Sequence, residues 1–388
     1  MTAPAARARS PRRSLRIGFD LRRMRGTGTS RYARSIFTAV VAEAPEHEYV
    51  AVVQSEADAA EALAATPWVP YVVAPAAQFT AREMLAVPRL GRAIDLWHSP
   101  HPCQLSLGGR HRTVLTVLDL IPVTHAIGLR NLILREPFRA FLRASCRRAH
   151  MLVAISQFTS DVFHEVLGVP REKIRVAHLA PARVFAGPVD RHAVATARER
   201  WGLPRGRTVV YVGMSQPHKN LDRLLQALAE LAIGRERLEP APTLAVIGPN
   251  VRAERAALRA RIHELRLEPH VRFLDSLRDE EVKLAYHAAD VVVQPSLIEG
   301  FGLTLVEAMQ CGTPVVASDI PVFREVVGDA ALLVDPLRPA AIARGLRGVL
   351  VDPSLAATLR ARGTARAGHY SWRRAALATL DAYDAAVA

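Results

Sequence analysis

Cysteine, lysine and long apolar runs are all scarce in this sequence. The three cysteines, Cys103, Cys146 and Cys311, are odd in number and widely spaced, so they predict neither a disulfide framework nor a zinc site. No apolar run approaches the roughly 18 residues of a membrane span, and the start, MTAPAARARSPRR, lacks the apolar core of a signal peptide. We therefore expect a cytoplasmic protein with a disordered basic tail over residues 1–13.

The positive charge comes almost entirely from arginine. The formal net charge is +14, yet only Lys173, Lys219 and Lys283 are lysines. The basic residues are spread along the chain without interleaved aromatic residues, which argues against a nucleic-acid partner. Half of the 388 residues are apolar, which is enough to build the cores of two domains.

Residues 289–326 have the pattern of a strand, a glycine loop, a helix and a second strand. Residues 290–294 are apolar and β-branched, as in a buried parallel strand. Gly300 and Gly302 then let the backbone approach a ligand closely. In a doubly wound fold this loop and the start of the helix at Leu303 lie at the carboxyl edge of the sheet, where free N–H groups favour a phosphate.

Two carboxylates bracket this loop. Glu299 lies at its start, and Glu307 lies eight residues further on, inside the helix. A buried carboxylate at that place could accept hydrogen bonds from two adjacent hydroxyls, such as those of a ribose. Alternatively, both are solvated acids that only complement the helix dipole.

The stretch EGFGLTLVEAMQCGTPVVA, residues 299–317, resembles the Glu-x7-Glu signature of retaining glycosyltransferases of family 4. The resemblance implies an α/β GT-B fold, in which two Rossmann-like domains face each other across a cleft and a C-terminal helix crosses back to the first domain. It also implies that Glu299 holds sugar hydroxyls and that Glu307 holds the ribose. Further donor contacts implied in this stretch are Phe301, Gly302, Leu303 and Thr304.

A second part of the implied donor site follows the strand over residues 208–213. The turn Lys219-Asn220 at a helix start presents an ammonium group, which family 4 members use on the donor diphosphate. The alternative is a solvated loop lysine. Relatives often carry another basic residue just before it, whereas this chain has His218, so the phosphate charge would rest on Lys219 and backbone amides. Gly213, at the end of the strand, is a further expected donor contact.

The N-terminal half begins with a strand over residues 15–19, a glycine-bearing loop and a helix from Arg31. Turns use the same Gly-x-Gly pattern, so alone it indicates little. The resemblance places Gly28, Thr29 and Arg31 on the cleft near the donor phosphates.

The strand over residues 112–118 leads into Asp119-Leu-Ile-Pro122, which resembles the family segment Thr-Val-His-Asp-Leu-Ile-Pro with Leu118 in the histidine position. We expect Asp119 to be catalytic. In relatives that histidine reaches the donor sugar, and a leucine offers no polar group. A donor lacking the outer hydroxyl should then be accepted at least as well as the parent hexose. The candidates to replace the histidine are His98, His101 and His125, although each is also typical of an ordinary loop or surface residue.

The pattern predicts an N-terminal acceptor domain over 14–185, a linker over 186–207, a C-terminal nucleotide-sugar domain over 208–370 and a crossover helix over 371–388. A helix over 132–150 carries five arginines. It is either half-buried with a solvated basic face or a surface that lies on anionic lipid at the inner face of the membrane. The arginines are Arg135, Arg139, Arg143, Arg147 and Arg148.

Together these features predict a retaining, metal-independent glycosyltransferase without a cofactor. It would move a hexose-type sugar from a UDP- or GDP-linked donor to a hydroxyl of a glycan, glycolipid or small-molecule acceptor. A metal is not needed if Lys219 and helix dipoles carry the phosphate charge. The alternatives are a GT-B sugar-nucleotide epimerase and a non-catalytic sugar-nucleotide sensor.

Overall fold

A computed structural model describes residues 13–22, 28–75, 94–100, 111–118, 129–204, 206–248 and 252–388. Within these ranges the strands form one seven-stranded and one six-stranded sheet, and every recorded strand pair is parallel. Helices cover both faces of a parallel sheet, so its strands are buried on both sides. This explains why the strand sequences here are apolar and β-branched. Asp119, His101 and His125 lie outside the described residues.

The first sheet has the order β3-β2-β1-β4-β5-β6-β7, and the second has the order β10-β9-β8-β11-β12-β13. The strands are β1 Arg16–Asp20, β2 Glu48–Val53, β3 Tyr71–Val73, β4 Leu96–Ser99, β5 Arg112–Val117, β6 Met151–Ala154, β7 Ile174–Val176, β8 Thr208–Val212, β9 Thr243–Ile247, β10 Val271–Leu274, β11 Val291–Gln294, β12 Val315–Ser318 and β13 Leu332–Val334.

The helices are α1 Gly28–Glu43, α2 Glu56–Ala62, α3 Leu129–Arg148, α4 Gln157–Leu167, α5 Arg191–Arg200, α6 Leu221–Ala232, α7 Arg252–Glu264, α8 Asp279–Ala288, α9 Leu303–Gln310, α10 Pro321–Val327, α11 Pro339–Val351, α12 Pro353–Ala367 and α13 Trp372–Val387. Most of the helices connect strands of one sheet, whereas α5 lies between the two sheets along the chain and α11, α12 and α13 follow the last strand. Each sheet with its helices forms one Rossmann-like domain, as the sequence predicts.

Each sheet reverses its strand order at one point. The reversal lies between β1 and β4 in the N-terminal domain and between β8 and β11 in the C-terminal domain. Loops leaving adjacent strands in opposite directions open a crevice at such a point, and doubly wound folds bind their ligands there. The loops after β8 and β11 are those that carry Lys219 and Glu299.

The last helix, α13, leaves the C-terminal domain and packs on α1 and on strands β5, β6 and β7 of the first domain. Its Tyr383 hydroxyl lies 2.6 Å from Nδ1 of His98, whose Nε2 lies 2.9 Å from Oγ1 of Thr116. Burial lowers the pKa of His98 to about 3, against the opposing charge of Asp20. His98 is therefore a neutral core residue of β4, so both interpretations, a substitute sugar contact and an ordinary loop or surface residue, were wrong.

Three elements were not predicted from the sequence. Helix α7 is charged around most of its surface and so lacks a clear apolar stripe, while α10 has only seven residues. Strand β3 is a three-residue edge strand with exposed side chains. In the described part of the chain, no helix is long and apolar enough to cross a membrane.

We predict that Tyr383→Phe lowers the free energy of unfolding by about 1–3 kcal/mol, because it leaves the buried His98 without one of its two partners. Urea unfolding measures the change. Arg373→Ala, on the same helix, removes an exposed pair with Glu43 and should cost less than about 1 kcal/mol. Equal losses in the two variants would contradict the role given to His98.

Candidate active site

The loops after β8 and β11 meet because these two strands are neighbours. The backbone N–H of Leu297 donates to the carbonyl of His218 at 2.8 Å, and Nδ2 of Asn220 donates to the carbonyl of Pro295 at 2.9 Å. Asn220 precedes α6 as predicted, but its side chain makes no cap for that helix. It holds the two loops together instead, which brings Lys219 to Glu299.

Lys219 and Glu299 form an ion pair, with Nζ 2.6 Å from Oε1, and their side chains are 19% and 12% exposed. The same oxygen accepts a hydrogen bond from Oγ of Ser296 at 2.9 Å and a longer one from Nε2 of Gln294 at 3.3 Å. Burial raises the pKa of Glu299, but Lys219, Ser296 and the charge of nearby His218 outweigh it and lower the pKa below its ordinary value. Glu299 is therefore an ionised hydrogen-bond acceptor.

Glu307 is almost completely buried, at 1% exposure, and its partners come from both domains. Its Oε1 accepts a hydrogen bond from Arg31 at 2.7 Å, and its Oε2 accepts one from the hydroxyl of Tyr286 at 3.2 Å. Arg31 uses Nη1 for its bond to Glu307, and its Nη2 lies 2.5 Å from Oδ1 of Asp279. Arg31 lies on α1 of the N-terminal domain, so this ion pair joins the two domains.

The pKa of Glu307 reflects these surroundings. Burial raises it to about 7, Asp279 adds to the increase, and the charge of Arg31 with the hydrogen bonds from Arg31 and Tyr286 opposes it. The carboxylate consequently titrates near neutral pH. That property did not follow from the sequence, because it depends on residues 21 to 276 positions away.

Glycines shape the loop between the two acids. Gly302 has φ 95° and ψ 50°, in the left-handed region that favours glycine, and a Cβ there would lie 2.6 Å from the ring of Phe323. Helix α9 begins at the next residue, so the amides of Leu303 and Thr304 lie in its first turn, where N–H groups have no intrahelical partner. The side chain of Phe301 is buried against the rings of Tyr370 and His178.

The loop also touches the N-terminal domain. The carbonyl of Gly300 accepts hydrogen bonds from Oγ of Ser156 at 2.8 Å and Oγ1 of Thr159 at 3.2 Å. A Cβ on Gly300 would lie 2.5 Å from the carbonyl oxygen of Leu118. Leu118, which the resemblance places at a histidine position, therefore lies against the loop through its backbone.

The remaining predicted site residues lie at the ends of other elements. A Cβ on Gly213 would lie 2.7 Å from the hydroxyl of Tyr211, so the turn after β8 requires a glycine. Gly28 is the first residue of α1 and has open space around it, and Thr29 is half-buried. Donor contacts by these three residues stay predictions, as does the role of Asp119, which is outside the described ranges.

Several partners of the two acids were missed from the sequence. Neither Asp279 nor Tyr286 was singled out, because helical periodicity does not show which side chains of α8 reach Glu307 or its cation. Gln294 and Ser296 did carry a signal, since polar residues that directly follow an apolar parallel strand lie at its carboxyl edge. Among the described residues, no group of three or more His, Cys, Asp or Glu side chains could hold a metal ion.

Two family models match the chain, one in each domain. Residues 26–180 match the family described as Glycosyltransferase Family 4, and residues 195–366 match the family described as Glycosyl transferases group 1. The fold is of the GT-B type, and each domain is similar to one of these two glycosyltransferase families.

Among curated proteins, the chain is similar to D-inositol 3-phosphate glycosyltransferase of Jonesia denitrificans, with 34% identity over 241 residues, 60% of this chain and 56% of that protein. It is also similar to O-antigen chain mannosyltransferase B of Escherichia coli, with 31% identity over 243 residues, 62% of each chain. The match thus spans little more than half the length of these relatives.

Solved structures share the whole fold. HepE of Anabaena in complex with UDP and glucose has a TM-score of 0.77 at 19% identity, covering 95% of this chain and 99% of that one. Sucrose-phosphate synthase of Thermosynechococcus elongatus has a TM-score of 0.77 at 22% identity, covering 96% and 98%. Identities this low support the fold and leave the substrate open.

We predict that Gly300→Ala pushes the two domains apart, because the added Cβ meets the backbone of Leu118 rather than a side chain that can move. Small-angle scattering should show a larger radius of gyration than for the parent chain. Gly348→Ala, whose Cβ would make only an ordinary 3.7 Å contact inside the C-terminal domain, is the matched control. Identical scattering from Gly300→Ala and the parent would contradict the prediction.

Proposed function

We propose that the protein is a retaining, metal-independent glycosyltransferase that uses a nucleoside diphosphate sugar as donor. The proposal is carried by the Lys219–Glu299 ion pair at the switch point of the C-terminal sheet and by Glu307, eight residues after Glu299, which is buried and bound by Arg31 of the N-terminal domain. A cation, two carboxylates and free helix amides are the groups that a diphosphate, a sugar and a ribose require.

The donor would lie along the loop from β11 to α9. Lys219 has three donor hydrogens, so it can hold a phosphate oxygen while it keeps its bond to Glu299. The first-turn amides of α9 would bind the same diphosphate. Glu299 would accept sugar hydroxyls, and Glu307 would accept ribose hydroxyls with the lone pairs that Arg31 and Tyr286 leave free.

In the proposed step the bond between the anomeric carbon and the phosphate oxygen breaks, and the acceptor oxygen bonds to the same face of that carbon. The acceptor proton passes to the leaving phosphate oxygen, so no protein nucleophile takes part. Positive charge develops on the sugar and negative charge on the phosphate. Lys219 stabilises the growing negative charge.

We propose a UDP- or GDP-linked hexose as donor, since the relatives are named as a glycosyltransferase and a mannosyltransferase and a neighbouring structure holds UDP and glucose. The acceptor would be a hydroxyl of a glycan, glycolipid or small molecule in the cytoplasm. Contact of α3 with an anionic membrane would use Arg147 and Arg148, which are exposed. Arg139 and Arg143 instead donate to the carbonyl of Val166 within the domain.

The test is a panel of UDP- and GDP-linked sugars with inositol phosphate and mannoside acceptors, run with and without a chelator. Formation of a glycoside with the donor's anomeric configuration, unaffected by the chelator, is the expected result. Interconversion of the donor without an acceptor would identify an epimerase. Donor binding without turnover of any kind would identify a sensor.

For Lys219→Ala we predict a larger loss in turnover than in donor affinity, because the phosphate gains charge in the transition state and only differential binding raises the rate. Single-turnover kinetics and calorimetric titration of the donor measure the two effects. Glu299 loses its cationic partner in this variant, so Lys219→Arg, which keeps the charge, serves as the control. Parallel losses in affinity and turnover would argue against the proposed role.

For Glu307→Ala we predict weaker binding of the donor by about 1.5–3 kcal/mol, the range for hydrogen bonds to a charged group. In the parent chain affinity should also decline as the pH falls below about 7, because the carboxylate gains a proton there. The charged or titratable groups that face it are Arg31, Asp279 and Tyr286, and burial holds the pKa of Tyr286 well above its ordinary value. Glu307→Gln should bind without that pH dependence, and unchanged affinity in Glu307→Ala would rule out the ribose role.

A further inference from the structure

Glu325, on α10 of the C-terminal domain, binds the start of α4 in the N-terminal domain. Its Oε1 accepts the backbone N–H of Gln157 at 2.7 Å, and its Oε2 accepts that of Phe158 at 2.9 Å. Nε2 of His178 lies 2.8 Å from Oε1. The side chain of Glu325 is 21% exposed. We call Glu325 with these two amides the α4 cap.

The α4 cap satisfies the N–H groups that the helix cannot satisfy itself. Ser156 is the N-cap residue, and its Oγ accepts the N–H of Thr159 at 3.0 Å. The N–H groups of Gln157 and Phe158 have no partner within the helix and donate to Glu325 instead. The positive end of the helix favours a carboxylate at this place. Burial raises the pKa of Glu325, but the hydrogen bonds from His178 and from the two amides outweigh it and lower the pKa.

The same turn of α4 also holds the loop that carries Glu299. Ser156 and Thr159 donate their hydroxyls to the carbonyl of Gly300, the residue after Glu299. The ring of His178, bound to Glu325, lies 6.0 Å from the ring of Phe301. The first turn of α4, in the N-terminal domain, therefore contacts both α10 and the loop from β11 to α9 in the C-terminal domain.

The contact between Glu325 and α4 differs from the contact between Arg31 and Glu307. Arg31 binds Glu307, which is proposed to hold the donor, so donor binding and the Arg31 contact share one carboxylate. The α4 cap includes no residue proposed to touch the donor. It can hold the domains together independently of whether the site is occupied.

We propose that Glu325 is a positioning residue for the proposed transfer. By capping α4 it fixes the closed arrangement of the domains in which the carbonyl of Gly300 reaches Ser156, and it thereby sets the position of Glu299 opposite the N-terminal domain. The role rests on the proposed function, and the α4 cap itself can be tested without it.

Hydrogen–deuterium exchange of the peptide that begins α4 tests the α4 cap. In Glu325→Ala the amides of Gln157 and Phe158 should exchange about tenfold faster or more, because each loses a hydrogen bond to a charged acceptor. Arg324→Ala is the matched control, since the adjacent Arg324 pairs with the exposed Asp319 inside its own domain. Exchange in Glu325→Ala equal to that of the parent would overturn the proposal.

Kinetics then test the positioning role. In Glu325→Ala, kcat for transfer should fall about tenfold or more, while donor affinity changes by less than about threefold, because donor contacts lie mainly in the C-terminal domain. Glu325→Gln keeps one acceptor oxygen and the shape of the side chain, so it should recover part of kcat. It also serves as the test variant if Glu325→Ala folds poorly. Faster exchange with an unchanged kcat would overturn the role. A parent chain that turns over no donor would overturn both the proposed function and the positioning role, whereas the exchange difference would still establish the α4 cap.

Discussion

A carboxylate that is largely or wholly removed from water needs partners, and three glutamates with this requirement set the arrangement of the site. Glu299 finds its cation inside its own domain, in Lys219 on the neighbouring loop. Glu307 and Glu325 take partners from the other domain, one a guanidinium and the other two backbone amides. An unpaired charge in such surroundings is costly, so the closed arrangement of the domains follows from where these acids lie.

The chemical nature of each cation suits its place. The planar guanidinium of Arg31 has donors on two nitrogens and bridges Glu307 and Asp279 at the same time. Lys219 is a compact charge with three donor hydrogens, which can serve Glu299 and a phosphate together. The chain is rich in arginine and poor in lysine. Lys219 lies where a compact, flexible charge is useful, and Arg31 lies where a planar group with two fixed donors is needed.

The fold and the centre of the site could be predicted because their signals are local. Strand and helix periodicity, the Glu-x7-Glu spacing and the Lys219-Asn220 turn all lie within short stretches. The partners of Glu307 and Glu325 could not be predicted, since they are distant in sequence and some are backbone groups that leave no pattern. His98 was misjudged for the same reason: Tyr383, which binds its ring, lies 285 residues further along the chain.

The ion pair between Arg31 and Glu307 also limits how proteins of this fold can be recombined. A chimera would join the C-terminal domain of one protein to the N-terminal domain of another. Here an N-terminal domain without an arginine at the matching position of α1 would leave Glu307 buried without its cation, which would raise its pKa further and favour the protonated form. A chimera of two such proteins therefore has to inherit this pair together, even when its partners lie on opposite sides of the junction.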